Sequence, residues 1–281
     1  MTRHRNPHSE KAKIGHTHSR APKNNAGDSS EPPRPQRNVG LARAISKMGY
    51  CSRSRAEDAI RAGRVRVNGV VRRNMEAPVH LDKDRLEIDG HQIKKVENLY
   101  LMLNKPRGVV TTASDEHGRE TIYSFLEQYS HGSLNWVAPV GRLDKASEGL
   151  LLITNDSEWA AKITAPETHV DKTYHVQISA QATPDMMEKL RQGFTVNYGE
   201  FLRVKHASVV RSGERNCWVE VVLDEGRNRH IRRMFETIGV EVLRLIRVAI
   251  GALKLGDLPK GRVRALSARE RLLLFRKANG D

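Results

Sequence analysis

The sequence predicts an α+β fold built from short strands and few helices. Apolar runs of strand length recur along the second two thirds of the chain. Amphipathic helical spacings are sparse, and strands do not alternate regularly with helices. That order argues against a doubly wound parallel sheet. The length of 281 residues suits one large domain plus a small one. Lys and Arg number 48 against 33 Asp and Glu, for a formal net charge of +15, which implies an anionic partner. Nucleic acid fits best. No apolar run approaches the ~18 residues of a membrane-spanning helix. The only two cysteines, Cys51 and Cys217, lie far apart and form no metal-type pair. A cytoplasmic protein with no membrane association is expected.

Residues 1–37 are rich in Pro, Asn, Ser, His and basic side chains and hold almost no large apolar residue. A disordered basic tail is expected there. His4, His8, His16 and His18 fall in it, at spacings that match no fixed ligand set, so no metal site is expected.

Residues 38–97 read as a small folded unit. Leu41, Ile45 and Met48 recur at helical spacing, and Gly49 ends that helix. In "SRAEDAIRAG", Ser54 and Glu57 have the spacing of a capping box, and Gly63 closes a second helix. "RVRVNGVVRR" follows, with Asn68-Gly69 as a hairpin turn. Arg53, Arg55, Arg64 and Arg66 fall between the apolar positions and are expected to face outward as a phosphate-tracking surface.

Residues 98–281 read as one α+β domain. "LYLMLNKPRGVVTT" is an apolar strand running into Lys105-Pro106-Arg107-Gly108. "GLLLITND" is a buried strand. "KTYHVQIS", "CWVEVVLDEG" and "VEVLRLIRVAIG" are further strands, and "MMEKLRQG" is a short helix. In "EGRNRHIRRMFETIG", Ile231, Met234, Phe235 and Ile238 form one helical face. That leaves Arg227, Asn228, Arg229, Arg232 and Arg233 around the helix start, where free backbone N–H groups and arginine forks suit phosphate.

Asp144, in "PVGRLDKASEGLLLITND", is a carboxylate at the edge of a buried strand, two residues after Arg142. It could be a turn residue in a salt bridge. In a nucleic-acid groove it would repel phosphates, so a protein that only binds gains nothing from it. An enzyme could use it as a nucleophile. The chain has no nucleophile elbow, Walker loop or dinucleotide fingerprint.

These segments carry a resemblance. "ARAISKMGYCSRSRAEDAIRAGRVRVNG" resembles the S4 RNA-binding domain. "GRLDKASEGLLLITND" resembles the catalytic motif of the RsuA-like ribosomal RNA pseudouridine synthases, which include the RluB, RluE and RluF types. "NKPRGVV", "KTYHV" and "EGRNRHIRRM" resemble that family's other motifs, in the same order. The resemblance implies an S4-like domain followed by a catalytic domain with a mixed, largely antiparallel sheet. It implies isomerisation of a uridine in ribosomal RNA, or in an assembling ribosomal subunit, by a monomer with no cofactor or metal. Asp144 would be the nucleophilic or base carboxylate. Tyr174 would contact the uracil face, and Arg227 would pair with Asp144. Arg142 would help hold the flipped nucleotide. Lys105, Asn228, Arg229, Arg232 and Arg233 would contact RNA. Ser147-Glu148 and His230 depart from commoner forms, and the Ser-Glu-Gly form slightly favours large-subunit 23S over 16S RNA. A ribosome-binding factor without activity would need neither Asp144 nor Tyr174. A glycosidase would need a second carboxylate, for which only Glu148 stands by.

Overall fold

The computed structural model describes residues 38–112, 115, 117–126, 136–197 and 199–275. The basic tail expected over residues 1–37, with its four histidines, lies outside them.

The first part of the described chain runs β1 (Val39–Gly40), α1 (Leu41–Lys47), α2 (Arg53–Arg61), β2 (Val65–Val67), β3 (Val70–Val71), β4 (Pro78–Val79), β5 (Leu86–Ile88) and β6 (His91–Gln92). Strands β3-β2-β5-β6 form one antiparallel sheet, and β1 pairs with β4. Asn68 and Gly69 both have positive φ, 52° and 81°, as a two-residue hairpin of this twist requires. Leu41, Ile45, Ile60, Val65 and Leu86 fill the core. The second helix begins two residues earlier than its sequence suggests. Ser52, not Ser54, is the N-cap, because its hydroxyl accepts from Arg55 N, three residues on. Ser54 then sits within the first turn.

The second part runs β7 (Tyr100–Lys105), a 3-10 turn (Ile122–Phe125), β8 (Ala138–Pro139), β9 (Glu148–Thr154), α3 (Ser157–Thr164), β10 (Lys172–Ile178), α4 (Pro184–Gln192), β11 (Phe194–Thr195), β12 (Phe201–Leu202), β13 (His206–Ser212), β14 (Cys217–Leu223), α5 (His230–Thr237), β15 (Val242–Ile250), β16 (Leu253–Lys254), β17 (Val263–Ala265) and α6 (Ala268–Leu273). Its main sheet has the order β13-β14-β10-β15-β9-β7-β17, with β8 and β16 at the side. Every pairing is antiparallel except β15 with β9. The fold is therefore α+β with a mixed, largely antiparallel sheet. No helix among the described residues is long and apolar enough to cross a membrane.

The parallel seam between β9 and β15 divides the sheet. On one side, β13, β14, β10 and β15 alternate inward and outward residues, and α4 and α5 cover the inward face. On the other side, β9 is buried along its whole length, with apolar clusters against both faces. The seam registers Glu148 with Ile246 and Gly149 with Arg247. Gly149 sits at φ 103°, and a Cβ there would lie 2.3 Å from the Arg247 carbonyl oxygen. Only glycine permits that approach. A Gly149→Ala protein is expected to lose about 3 kcal/mol from overlap and backbone strain. A fall in Tm of roughly 6–12 °C would register it.

Candidate active site

Asp144 lies in the loop joining β8 to β9, and the sequence around it is pinned from several directions. Thr111 Oγ1 donates to Leu143 O (2.7 Å). Lys105 Nζ donates to Asp144 O (3.2 Å) and to Ser147 O (2.9 Å). Gly108 N donates to Lys145 O (2.7 Å). Arg232 Nη2 donates to Ala146 O (3.0 Å). Each carbonyl from Leu143 to Ser147 thus has an external donor, and the loop closes on itself through Ser147 N to Asp144 O (2.9 Å). This accounts for "NKPRG" locally. Lys105 ends β7, Pro106 turns the chain, and Gly108, at φ 96°, brings its own N–H onto the loop.

Lys105 is accordingly not an RNA contact in this structure, contrary to the sequence expectation. Its side chain is fully buried. Burial pulls its ammonium down to about 8, while the charges of Asp144 and Glu148 pull the other way. Glu148, unexplained by the sequence, is 2% exposed and closes the same network. Arg244 grips both its oxygens (3.1 Å each), and Lys260 Nζ lies 2.6 Å away. Burial pushes the Glu148 carboxyl up, but these hydrogen bonds outweigh it and hold the group below its ordinary value. It is an anchor of the loop's C-terminal end, and its carboxylate is engaged away from Asp144.

The Asp144 carboxylate itself makes no hydrogen bond or salt bridge to a described residue. It opens into two adjoining cavities of about 350 and 550 Å³, which share Arg142, Leu143, Asp144 and Arg229 as lining. Together they make a groove with Asp144 in its middle. The smaller cavity has the size of a small-ligand pocket. Its floor is Tyr174, Leu245 and Arg247, and Lys172 and Asn228 stand on its wall. Tyr174, on β10, is in register with Arg247 on β15, so both side chains rise from the sheet face that carries α5.

The expected pairing of Arg227 with Asp144 is replaced by another. Arg227 binds Glu225 (2.8 Å) and Glu200 (2.9 Å) at the rim. Arg233 also binds Glu200 (2.6 Å). The reason is position. Arg227 lies in the turn before α5, whereas Arg232 lies in its first turn, half-buried and bonded to the Asp144 loop through Ala146 O. Burial lowers the Arg232 guanidinium below its ordinary value, and the Asp144 charge opposes that shift. Arg232 is the guanidinium that feels Asp144. Arg142, Asn228 and Arg229 are exposed at the groove.

The arginines of the first part are all exposed. Arg64 is paired with Asp89, and Arg53 with Glu57 and Glu76. Arg66 donates to Gly69 O, and Arg55 has no carboxylate partner among the described residues. Two of the four therefore carry less free charge than their sequence suggests.

Sequence reasoning missed Arg247. It is 5% exposed, its Nε donates to Leu150 O (2.7 Å), and its Nη2 has no protein partner. A buried unpaired donor costs roughly 1–3 kcal/mol, and this one lines the smaller cavity, where a water or a ligand group can accept from it. The available signal was its place. In "VLRLIRVAI" the inward alternation of Leu245 continues onto Arg247, a charge at a core-facing position.

Residues 99–237 match the RNA pseudouridylate synthase family, and residues 39–84 match the S4 domain. The chain is 34% identical over 231 residues to the ribosomal large subunit pseudouridine synthase B of Bacillus subtilis (strain 168), spanning 82% of this chain and 93% of the relative. It is 35% identical over 240 residues to an RNA pseudouridine synthase of Mycobacterium leprae (strain TN), spanning 85% and 93%. A pseudouridylate synthase of known crystal structure superposes with TM-score 0.59 at 28% identity, over 84% of this chain and 99% of that one. With its family match, these relatives and an S4 domain ahead of the groove, the chain belongs to the RNA pseudouridine synthases.

Proposed function

We propose that this enzyme isomerises one uridine of ribosomal RNA, in the large subunit, using Asp144 as nucleophile and no cofactor. The observation that supports this most directly is the Asp144 carboxylate, without a bonded partner among the described residues, in a cationic groove of nucleoside size. The large-subunit choice leans on the similarity to the Bacillus subtilis enzyme of that name.

The reaction conserves every atom. The N1–C1′ bond of uridine breaks, C5 joins C1′, the C5 proton leaves and N1 gains a proton. Asp144 would attack the flipped nucleoside at C1′, to be displaced when the C5–C1′ bond forms, or at C6, to be expelled by elimination when the C5 proton leaves and the C5=C6 bond re-forms. Tyr174 lies across the pocket floor, where it would stack on uracil and assist loss of the C5 proton. Arg232, close behind the loop, would balance the charge that Asp144 carries before attack and after release. The free Nη2 of Arg247 would donate to a uracil carbonyl. Arg142, Asn228 and Arg229 at the rim would hold flanking phosphates and sugars, offsetting the few kcal/mol that unstacking the base costs.

Incubation with transcripts of 23S and 16S ribosomal RNA, followed by carbodiimide treatment and primer extension, tests the assignment. One new stop in the 23S transcript is expected. Stops in 16S alone would overturn the subunit, and none in either would overturn the substrate.

The two arginines of α5 and its leading turn are expected to separate. Arg232→Met should lower the single-turnover rate by ~10²- to 10³-fold, because it removes charge beside Asp144 and a donor from the loop. Arg227→Met should leave that rate within about threefold and act on RNA affinity. Equal loss of rate in both would restore Arg227 as the partner of Asp144.

A further inference from the structure

Over β13, β14, β10 and the first part of β15, the sheet has a second face that no described helix covers; at β9 and β7 that face is packed by α3 and α6. On β13, β14, β10 and β15, the residues opposite the α4/α5 side are part-exposed or exposed, except Thr173 and Ala249 toward the far end, which are buried. The strand registers set several of them in one transverse row. Arg211 faces Trp218 across β13/β14, Trp218 faces Gln177, and Gln177 faces Arg244. Arg244 reaches Glu148, at the start of β9, and Glu148 reaches Lys260. With strands ~4.8 Å apart, the row spans roughly 19 Å. It ends beside the catalytic loop, which Glu148 terminates.

The chemistry of the row is that of a nucleic-acid surface. The guanidiniums of Arg211 and Arg244 lie 5.7 and 5.5 Å from the Trp218 ring centroid. An arginine held on an aromatic ring keeps its N–H edge free for phosphate. Arg211 is exposed and makes no salt bridge among the described residues. Arg244 and Lys260 share the single carboxylate of Glu148, so the row carries a net positive charge. The same face does hold acids further along. Glu220 lies 3.4 Å from His175, and Asp171 binds Lys205. Lys205 balances Asp171, and Glu220 lies one register step from the row with only the His175 ring beside it among the described residues. An aromatic flanked by cations on an open sheet face is a recurrent single-strand RNA platform.

We propose that this reverse face is a second RNA contact. RNA leaving the catalytic groove past Lys260 crosses the sheet, and Arg211 takes a phosphate with its free N–H edge while Trp218 holds the guanidinium in place; Arg244 and Lys260, both bound to Glu148, add positive charge along the path. The proposal rests on the enzyme acting on RNA, not on which uridine it modifies. An extended substrate would use both faces, whereas a minimal stem-loop would use the groove alone.

The test compares Arg211→Glu with Arg269→Glu, an exposed arginine on α6 outside the row. Filter binding of a 23S ribosomal RNA transcript is measured against salt. Arg211→Glu should weaken binding about tenfold at 0.1 M salt and flatten the slope of log K against log salt by about 0.7 to 0.9. Arg211→Lys should stay near wild type, and Arg269→Glu should shift binding less than threefold. The rate of pseudouridine formation at saturating RNA should be unchanged in Arg211→Glu. Equal weakening by Arg211→Glu and Arg269→Glu, or none by either, would overturn the second contact. A wild-type protein that forms no pseudouridine would instead sink the assigned activity, leaving the binding comparison readable.

Discussion

An Asp144→Asn protein is expected to bind RNA with wild-type affinity and to form pseudouridine at least ~10⁴-fold more slowly, as loss of a nucleophile does elsewhere. The substitution keeps size and removes charge. The carboxylate is part-exposed and bonded to no described side chain, so the fold loses nothing with it. The backbone carbonyl of Asp144, not its side chain, is what the loop uses. Release of the C5 proton from 5-tritiated uridine in a transcript measures the rate, and filter binding measures affinity. A variant within tenfold of wild type would exclude Asp144 as nucleophile. Loss of affinity would instead mean that the carboxylate orders the groove.

Lys105→Met is expected to lower kcat by ~10²-fold with little change in KM for RNA. Its ammonium holds the carbonyls of Asp144, Ser147 and Pro106, and it reaches no solvent. Had Lys105 been a phosphate contact, the variant would flatten the salt dependence of binding and spare kcat. That opposite outcome is the test. A pH effect accompanies it. The neutral amine has two hydrogens for three acceptors, so wild-type activity should decline as pH rises through about 8. Stability runs the other way for this group. The folded state releases the proton near 8 and the unfolded chain near 10.5. Between those values the unfolded chain binds more protons, so this lysine favours folding increasingly as pH rises. Below pH 8 both states are protonated, and the buried charge is a constant cost. A falling rate without a falling Tm between pH 8 and 9.5 is the expected signature, and Lys105→Met should lack the descending limb.

The large elements were readable because their periodicities are strong. The α5 face of Ile231, Met234 and Phe235, the apolar run of β9, and the Asn68-Gly69 hairpin all appear as their sequence spacing requires. The position of Asp144 in a groove was readable from its motif. The partners were not. Arg227 and Arg232 are both arginines at the same helix end, and only the helix's rotation against the loop decides which one turns toward Asp144. Glu200, which captures Arg227, lies in a segment that carries no sequence signal for the site. Lys105 reads as a surface cation, since lysine is almost never fully buried unless paired. Its pairing with loop carbonyls needs two strands brought together from distant sequence. The α3 helix was missed because Asn155-Asp156 reads as a turn. Asp156 is in fact its N-cap, accepting from Glu158 N and Trp159 N.

The seam between β9 and β15 bears on the order in which the molecule assembles. Lys105 and Asp144 stand on one side of it, and Tyr174, Arg232 and Arg247 on the other. Neither side holds a complete set. Pairing across such a separation in sequence is slow, because loop-closure entropy must be overcome before the contact rewards it. Recovery of activity after denaturation should therefore follow the slowest folding phase, with no partly active intermediate. During synthesis the same rule applies. A chain that has not yet released β15 holds Asp144 but lacks Arg247 and the floor of the cavity beside it, so on the proposed assignment it should form no pseudouridine until β15 pairs with β9.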